Sequence, residues 1–93
     1  MAKKDFNAIF QLTRTVTAVG ASASGTVSAG AKGVFFRCTA GTATITPNGG
    51  GTVSLGSSGQ AVYNFDYVSA ETAHGAIDYT TASGSALEIT EDR

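Results

Sequence analysis

The chain has 93 residues, of which 14% are charged, and its net charge at pH 7 is −1. This length allows one domain, and the composition argues against both the basic face of a nucleic-acid-binding protein and the high charge of a disordered chain. Ala, Gly, Thr and Ser make up about half of the residues, so few bulky side chains remain to build a core. We therefore expect a thin core that gains further stability by oligomerisation or by docking on a larger body.

Period-two alternation, β-branched residues and glycine-containing turns predict eight strands and no helix. The predicted strands cover residues 9–19, 26–28, 34–39, 42–46, 52–55, 60–68, 76–81 and 86–90. They form one domain over residues 9–93, preceded by a polar arm over residues 1–8. This pattern predicts an all-β fold, an eight-stranded antiparallel sandwich that is jelly-roll-like, and the alternative is an immunoglobulin-like sandwich.

Alternation also predicts which side chains face the core. In the first strand, the apolar residues Val16 and Ala18 alternate with threonines, so we expect the apolar side chains of this strand to point inward. Arg14 interrupts this alternation and would lie at an edge or an interface. In the strand 34–39, the side chains of one face are apolar, namely Val34, Phe36 and Cys38, and Phe35 lies on the opposite face.

A nine-residue segment occurs twice. Residues 25–33 (GTVSAGAKG) and 51–59 (GTVSLGSSG) match at six of nine positions, and each copy leads into an aromatic, strand-like run. Glycine spacing of this kind resembles a phosphate-binding loop only if a helix follows, because the amides at a helix N-terminus hold the anion. Since a strand follows both copies, the repeat predicts one corner used in two halves of a sandwich.

The residues that could carry chemistry are sparse, and we predict no catalytic residue, no metal site and no cofactor. Glu71, His74 and Asp78 are the best candidates for cation ligands, but one histidine with two scattered carboxylates lacks the ligand set of a zinc site. No nucleophile motif accompanies His74, so the chain is not expected to be an enzyme. Cys38 is the single cysteine and is expected to be buried.

The chain carries neither the apolar run of a membrane span nor a signal peptide, so we expect no membrane association and synthesis in the cytoplasm. Tyr63, Tyr67 and Tyr79 could together form a platform for stacking a sugar ring. Because two of these tyrosines alternate with polar residues in one strand, they are better read as core residues with hydroxyls at the rim.

Apolar side chains on both faces of a strand favour an assembly role. Phe35 opposes Val34 and Phe36, and Val62 opposes Tyr63, whereas the outer face of a monomeric sandwich should be polar. We therefore expect one outer face to meet another subunit or a host surface.

A small all-β chain rich in Gly, Thr and Ala, with a Lys3-Lys4 leader, a Pro47–Gly51 turn and twin Gly-Thr-Val-Ser corners, resembles the capsid decoration (cement) proteins of tailed bacteriophages. That resemblance implies a non-enzymatic structural protein of the virion that binds between capsomers and stabilises the capsid. Its partners would be the major capsid protein and further copies of itself, as a homotrimer or a dimer, without direct contact to nucleic acid.

In that interpretation, residues 1–12 grip a neighbouring subunit. The expected interface residues are Lys3, Lys4 and Arg14, facing acidic groups, with Phe6, Ile9, Phe10 and Phe35 as apolar anchors. The alternative function is a carbohydrate- or receptor-binding module of a phage tail or fibre.

Overall fold

The structure, a computed structural model, describes residues 13–48, 50–63 and 75–93. These residues form eight strands and no helix. The strands are β1 (Arg14–Val19), β2 (Ser24–Val27), β3 (Gly33–Ala40), β4 (Ala43–Pro47), β5 (Val53–Leu55), β6 (Gln60–Tyr63), β7 (Ile77–Thr81) and β8 (Ala86–Asp92). The all-β prediction and its eight strands are confirmed, whereas the predicted arm at 1–8 lies outside the described residues.

The strands form two antiparallel four-stranded sheets. Sheet A has the order β1-β8-β3-β6, and sheet B has the order β2-β7-β4-β5. Among the described strands, β4 and β5 follow each other within one sheet and pair as neighbours. All the remaining connections between consecutive strands lead from one sheet to the other. This winding is the jelly-roll-like sandwich that the strand pattern predicted.

The core lies between the two sheets, and in β3, β4, β7 and β8 buried residues alternate with more exposed ones along the strand. Its largest buried side chains are Phe36, Ile45, Ile77, Leu87 and Ile89. Rings from both sheets meet at the core, because the Phe36 ring packs edge-on against Tyr63 of sheet A and tilted against Tyr79 of sheet B, with centroids 6.1 and 6.5 Å apart. The predicted inward face of β3 is confirmed, and Cys38 is buried as expected.

The predicted facing of β1 is wrong. Thr17 lies opposite Ile89 of β8, and Ile89 is a core residue, so the threonine row of β1 lies on the core side. Val16 and Ala18 therefore lie on the outer face, and Val16 is 58% exposed. The cause is the position of β1 at the sheet edge, where even the core-side Thr15 and Thr17 remain exposed and alternation no longer reports burial.

The twin segments occupy equivalent places in the fold. Residues 25–33 lead from β2 to β3 and residues 51–59 from β5 to β6, so both carry the chain from sheet B to sheet A. Their turns differ in backbone conformation, because the first has its positive φ at Gly30 (109°) and the second at Ser58 (68°). The repeat thus marks a shared place and not a shared turn geometry.

Side chains close the ends of the sandwich. The hydroxyl of Thr81 accepts a hydrogen bond from the Ala23 amide (2.9 Å) and donates to the Gly20 carbonyl (2.7 Å), which fixes the loop from β1 to β2. The Ser85 hydroxyl accepts from the Thr42 amide at 2.9 Å. Within the described ranges, no helix is long and apolar enough to span a membrane.

Candidate interaction surface on sheet A

The outer face of sheet A carries a row of cross-strand neighbours that spans all four strands and is apolar on three of them. Val16 lies opposite Thr90, Thr90 opposite Phe35, and Phe35 opposite Val62, so these residues are consecutive neighbours from β1 to β6. Val16 and Val62, at the two ends, are 58% and 52% exposed, and Phe35 is half-buried. We call Val16, Thr90, Phe35 and Val62 the apolar row.

Each side of the apolar row is flanked by charged residues. On one side, Glu88 of β8 lies opposite Arg37 of β3, with Ala18 and Gln60 completing that line of neighbours. On the other side, Arg14 of β1 lies opposite Asp92 of β8. Among the described residues, the outer face therefore holds two guanidinium groups and two carboxylates around an apolar centre.

Arg14 and Asp92 form a bidentate ion pair. Arg14 Nε donates to Asp92 Oδ1 and Arg14 Nη2 donates to Asp92 Oδ2, both at 2.8 Å. The hydrogen bonds from Arg14 lower the pKa of the Asp92 carboxyl below its ordinary value, and the same pair raises the pKa of Arg14. Because the pair lies on the surface, water and salt screen its attraction, and it contributes mainly by fixing the position of both groups.

Arg37 and Glu88 behave differently although they are also cross-strand neighbours. The described residues contain no salt bridge between these two side chains, and Arg37 is exposed while Glu88 is half-buried. Their charged ends thus remain able to pair with groups outside the chain. Sequence reasoning missed both residues, because their proximity depends on the pairing of β3 with β8, whose members lie far apart in the chain.

The structure places two of the predicted interface residues on this face. Phe35 lies at the centre of the apolar row, and Arg14 lies beside it, although Arg14 is paired with Asp92 within the chain. The other predicted interface residues, Lys3, Lys4, Phe6, Ile9 and Phe10, fall outside the described residues.

The cation-ligand candidates also divide. Glu71 and His74 lie outside the described residues. Asp78 lies on the outer face of sheet B, where its carboxylate accepts a hydrogen bond of 2.7 Å from the Thr26 hydroxyl. Of the three tyrosines considered for a sugar platform, Tyr63 and Tyr79 pack against the core, and burial raises the pKa of Tyr63.

Comparison with known proteins gives no family by sequence: no family model and no curated protein matches the chain. Its fold is similar to a cupin-2 domain protein from Shewanella frigidimarina (12% identity, 88% of this chain, 71% of that chain, TM-score 0.56). It is also similar to a de novo designed double-stranded β-helix (14%, 87% and 99%, 0.54) and to cobalt(II) HppE with Tris (17%, 88% and 45%, 0.58).

One of these structures contains cobalt(II), so the fit of a metal to the interior of this chain depends on the side chains found there. The described side chains between the sheets are almost entirely apolar, and the Cys38 thiol is held at 3.3 Å from the Ala40 carbonyl oxygen. Over 13–48, 50–63 and 75–93, no three His, Cys, Asp or Glu side chains come together as metal ligands. The described interior does not fit a metal centre.

The interpretation as a capsid decoration protein is wrong, and so is its alternative of a phage tail or fibre module. Both came from composition and turn style, whereas the solved structures with a similar fold include a cupin-2 domain protein and cobalt(II) HppE. At identities of 12–17% the likeness carries no activity to this chain. What the likeness shows is the fold: an antiparallel, jelly-roll-like β-sandwich.

Proposed function

We propose that this protein is a non-catalytic association module that binds a second copy of itself through the outer face of sheet A. The observation that carries the proposal is the apolar row, which places Val16, Phe35 and Val62 on a face where a solvated antiparallel sheet normally presents polar side chains. Covering this row with another apolar surface would remove it from water, which is favourable in proportion to the area buried.

The charges of the face favour a second copy over a strongly charged partner. Arg14 and Arg37 are matched by Asp92 and Glu88, so the described part of this face carries no net charge and offers nothing to a uniformly acidic or basic surface. A face with both signs can instead be complementary to itself. Most homo-oligomers use such isologous interfaces, in which the same patch from both subunits meets.

The filled interior supports a non-catalytic role. Phe36 and Ile45 are fully buried between the sheets, where ligand-binding folds of this architecture hold a cavity lined by a few polar groups. The surface and not the described interior therefore offers the interaction.

The expected affinity is low. Strands lie about 4.8 Å apart, so a four-stranded face is roughly 19 Å wide, and its contact falls near the lower end of specific interfaces. We expect a dimer with a dissociation constant in the micromolar range or weaker, so association has to be measured across a wide range of concentrations.

Sedimentation velocity tests the proposal directly. The wild-type chain should show a mass-action rise in sedimentation coefficient with concentration, and Val62→Asp should abolish it by placing a carboxylate in the apolar row. Ser54→Asp is the matched control, since Ser54 is exposed on the outer face of sheet B and its variant should associate like the wild type. Equal association of Val62→Asp and the wild type would contradict the proposal.

A further inference from the structure

We infer that Arg37 and Glu88 set the orientation of the second copy, with each Arg37 facing Glu88 of the other subunit. The inference rests on the proposed function and adds the symmetry of the complex. The two-fold axis would run parallel to the strands, in the plane of contact, between β8 and β3.

This axis follows from the strand order of sheet A, which is β1-β8-β3-β6. A rotation by 180° about a line between β8 and β3 places β8 of one copy over β3 of the other, and β1 over β6. Positions along the strands are unchanged. Each line of cross-strand neighbours in one subunit therefore faces the same line of residues in the other subunit, in reversed strand order. Glu88 then faces Arg37 twice, and Thr90 faces Phe35 twice.

The apolar row also closes under this rotation. Its ends, Val16 on β1 and Val62 on β6, exchange places. Val16 of each subunit is then covered by Val62 of the other subunit. Sheets that pack face to face are about 10 Å apart and turned by about 30°, which keeps strands near the axis closest to register. The Arg37 and Glu88 strands are the two beside the axis, where both side chains are long enough to meet.

The other face-to-face arrangement is electrostatically unfavourable. A two-fold axis along the apolar row would place β8 over β8 and exchange the two charged lines, so that Glu88 would face Asp92 of the other copy. Two carboxylates would then oppose each other on both sides of the axis, while Arg37 would face Gly33. Like charges brought together at an interface oppose binding, so charge selects the axis parallel to the strands.

The side chains needed for this contact are available. Arg14 and Asp92 are already joined by two hydrogen bonds of 2.8 Å, whereas the described residues contain no salt bridge between Arg37 and Glu88. Pairing across the interface would thus give both groups a charged partner without breaking an existing ion pair.

A mixing experiment with full-length protein tests the arrangement. Arg37→Glu alone puts two carboxylates opposite each other in the homodimer, and Glu88→Arg alone puts two guanidinium groups opposite each other. Each variant alone should dimerise about tenfold more weakly than the wild type or worse. An equimolar mixture should recover dimers, because each new side chain then faces its opposite charge in the other variant.

Circular dichroism and urea unfolding show that each variant is folded before sedimentation is compared. As a control for general attraction between oppositely charged proteins, a mixture of Ser54→Glu and Ser54→Lys, both on sheet B, should associate no more strongly than either variant alone. The double variant Arg37→Glu/Glu88→Arg should dimerise like the wild type.

The outcomes separate this inference from the proposed function. Tighter association of Glu88→Arg alone would overturn the axis parallel to the strands and select the axis along the apolar row. Loss of association in Val62→Asp together with unchanged association of both charge variants would overturn the inference while supporting the proposed function. A wild-type chain that stays monomeric at all concentrations would overturn both.

Discussion

Arg14 and Asp92 lie directly opposite each other on β1 and β8, and two hydrogen bonds of 2.8 Å join the guanidinium to the carboxylate. This pair anchors an edge strand whose side chains are otherwise mostly exposed and which pairs with the sheet on one side only. Its effects should appear in the protonation of Asp92 and in the pH dependence of folding.

The first prediction is that Arg14→Gln raises the pKa of Asp92 toward its ordinary value. The side-chain hydrogen bonds from Arg14 are the main cause of the lowered pKa, and glutamine supplies no charge. Because the folded-state pKa is the lower one, the carboxylate stabilises the fold above its unfolded pKa of about 3.9. That contribution is lost as the pH falls through the folded-state pKa.

Titration of the Asp92 carboxyl carbon by NMR measures the change in pKa. Arg37→Gln is a suitable control, since it removes a positive charge from the same sheet face at a position that pairs with Glu88 and bonds neither Arg14 nor Asp92, so it should leave the Asp92 titration where it is. An unchanged Asp92 pKa in Arg14→Gln would mean that the ion pair does not form in solution.

The second prediction concerns Thr81, the buried threonine that fixes the loop from β1 to β2. Thr81→Val keeps the shape of the side chain but leaves the Ala23 amide and the Gly20 carbonyl without this partner. We expect the free energy of unfolding to fall by about 1–3 kcal/mol.

Urea unfolding gives the measurement, and Thr80→Val is the neighbouring control. Thr80 is exposed and its hydroxyl is hydrogen-bonded to the Thr44 hydroxyl, so the loss of the Thr80 hydroxyl should lower the free energy of unfolding by about 0.5 kcal/mol or less. Equal costs at the two positions would show that the loop does not depend on the Thr81 hydroxyl.

The third prediction compares two glycines with the same backbone requirement. Gly41 has φ 68° and Gly84 has φ 70°, a region that costs other residues about 1–2 kcal/mol. A Cβ at Gly41 would also lie 2.9 Å from Ser85 Cα, whereas a Cβ at Gly84 would meet nothing within 4 Å.

Alanine at each site should separate strain from crowding. Gly84→Ala should lower the free energy of unfolding only by the backbone strain of about 1–2 kcal/mol. Gly41→Ala should lower it by about 1–3 kcal/mol more, because the added methyl group is also overpacked. Thermal and urea unfolding of both variants check this order, and a larger loss for Gly84→Ala would contradict it.

The fourth prediction separates two consecutive phenylalanines of β3. Phe36→Ala empties a fully buried position and should lower the free energy of unfolding by about 3–5 kcal/mol. Phe35→Ala truncates a half-buried side chain on the outer face, so it should cost less stability but weaken self-association. Unfolding in urea and sedimentation velocity, applied to both variants, distinguish the two effects.

The alternation of apolar and polar residues was sufficient to predict which side chains face the core in strands that have one buried and one solvent-facing side. Val34, Phe36 and Cys38 face the core as predicted because β3 lies inside sheet A, with β8 on one side and β6 on the other. The same rule failed for Val16, since β1 is an edge strand in which both faces meet water and the apolar set was not the inward one.

The candidate site could be predicted only in part. Phe35 could be found from the sequence because it is apolar and lies on the face of its strand that is turned away from the core residues Val34 and Phe36. The apolar row as a whole could not be found, since its members come from four different strands and meet only through the register of sheet A. Register between β3 and β8 depends on packing over long sequence separations, which a single sequence does not display.

The crossing of the chain between sheets has a consequence for how the protein folds. Among the described strands, only β4 and β5 are neighbours both in sequence and in a sheet. The other strands pair with strands that are distant in the sequence. Loop closure has to precede most of the pairing, which slows folding in proteins dominated by non-local contacts to milliseconds or seconds. We expect both sheets to form in one cooperative, slow step, with single-exponential refolding kinetics and no independently stable half.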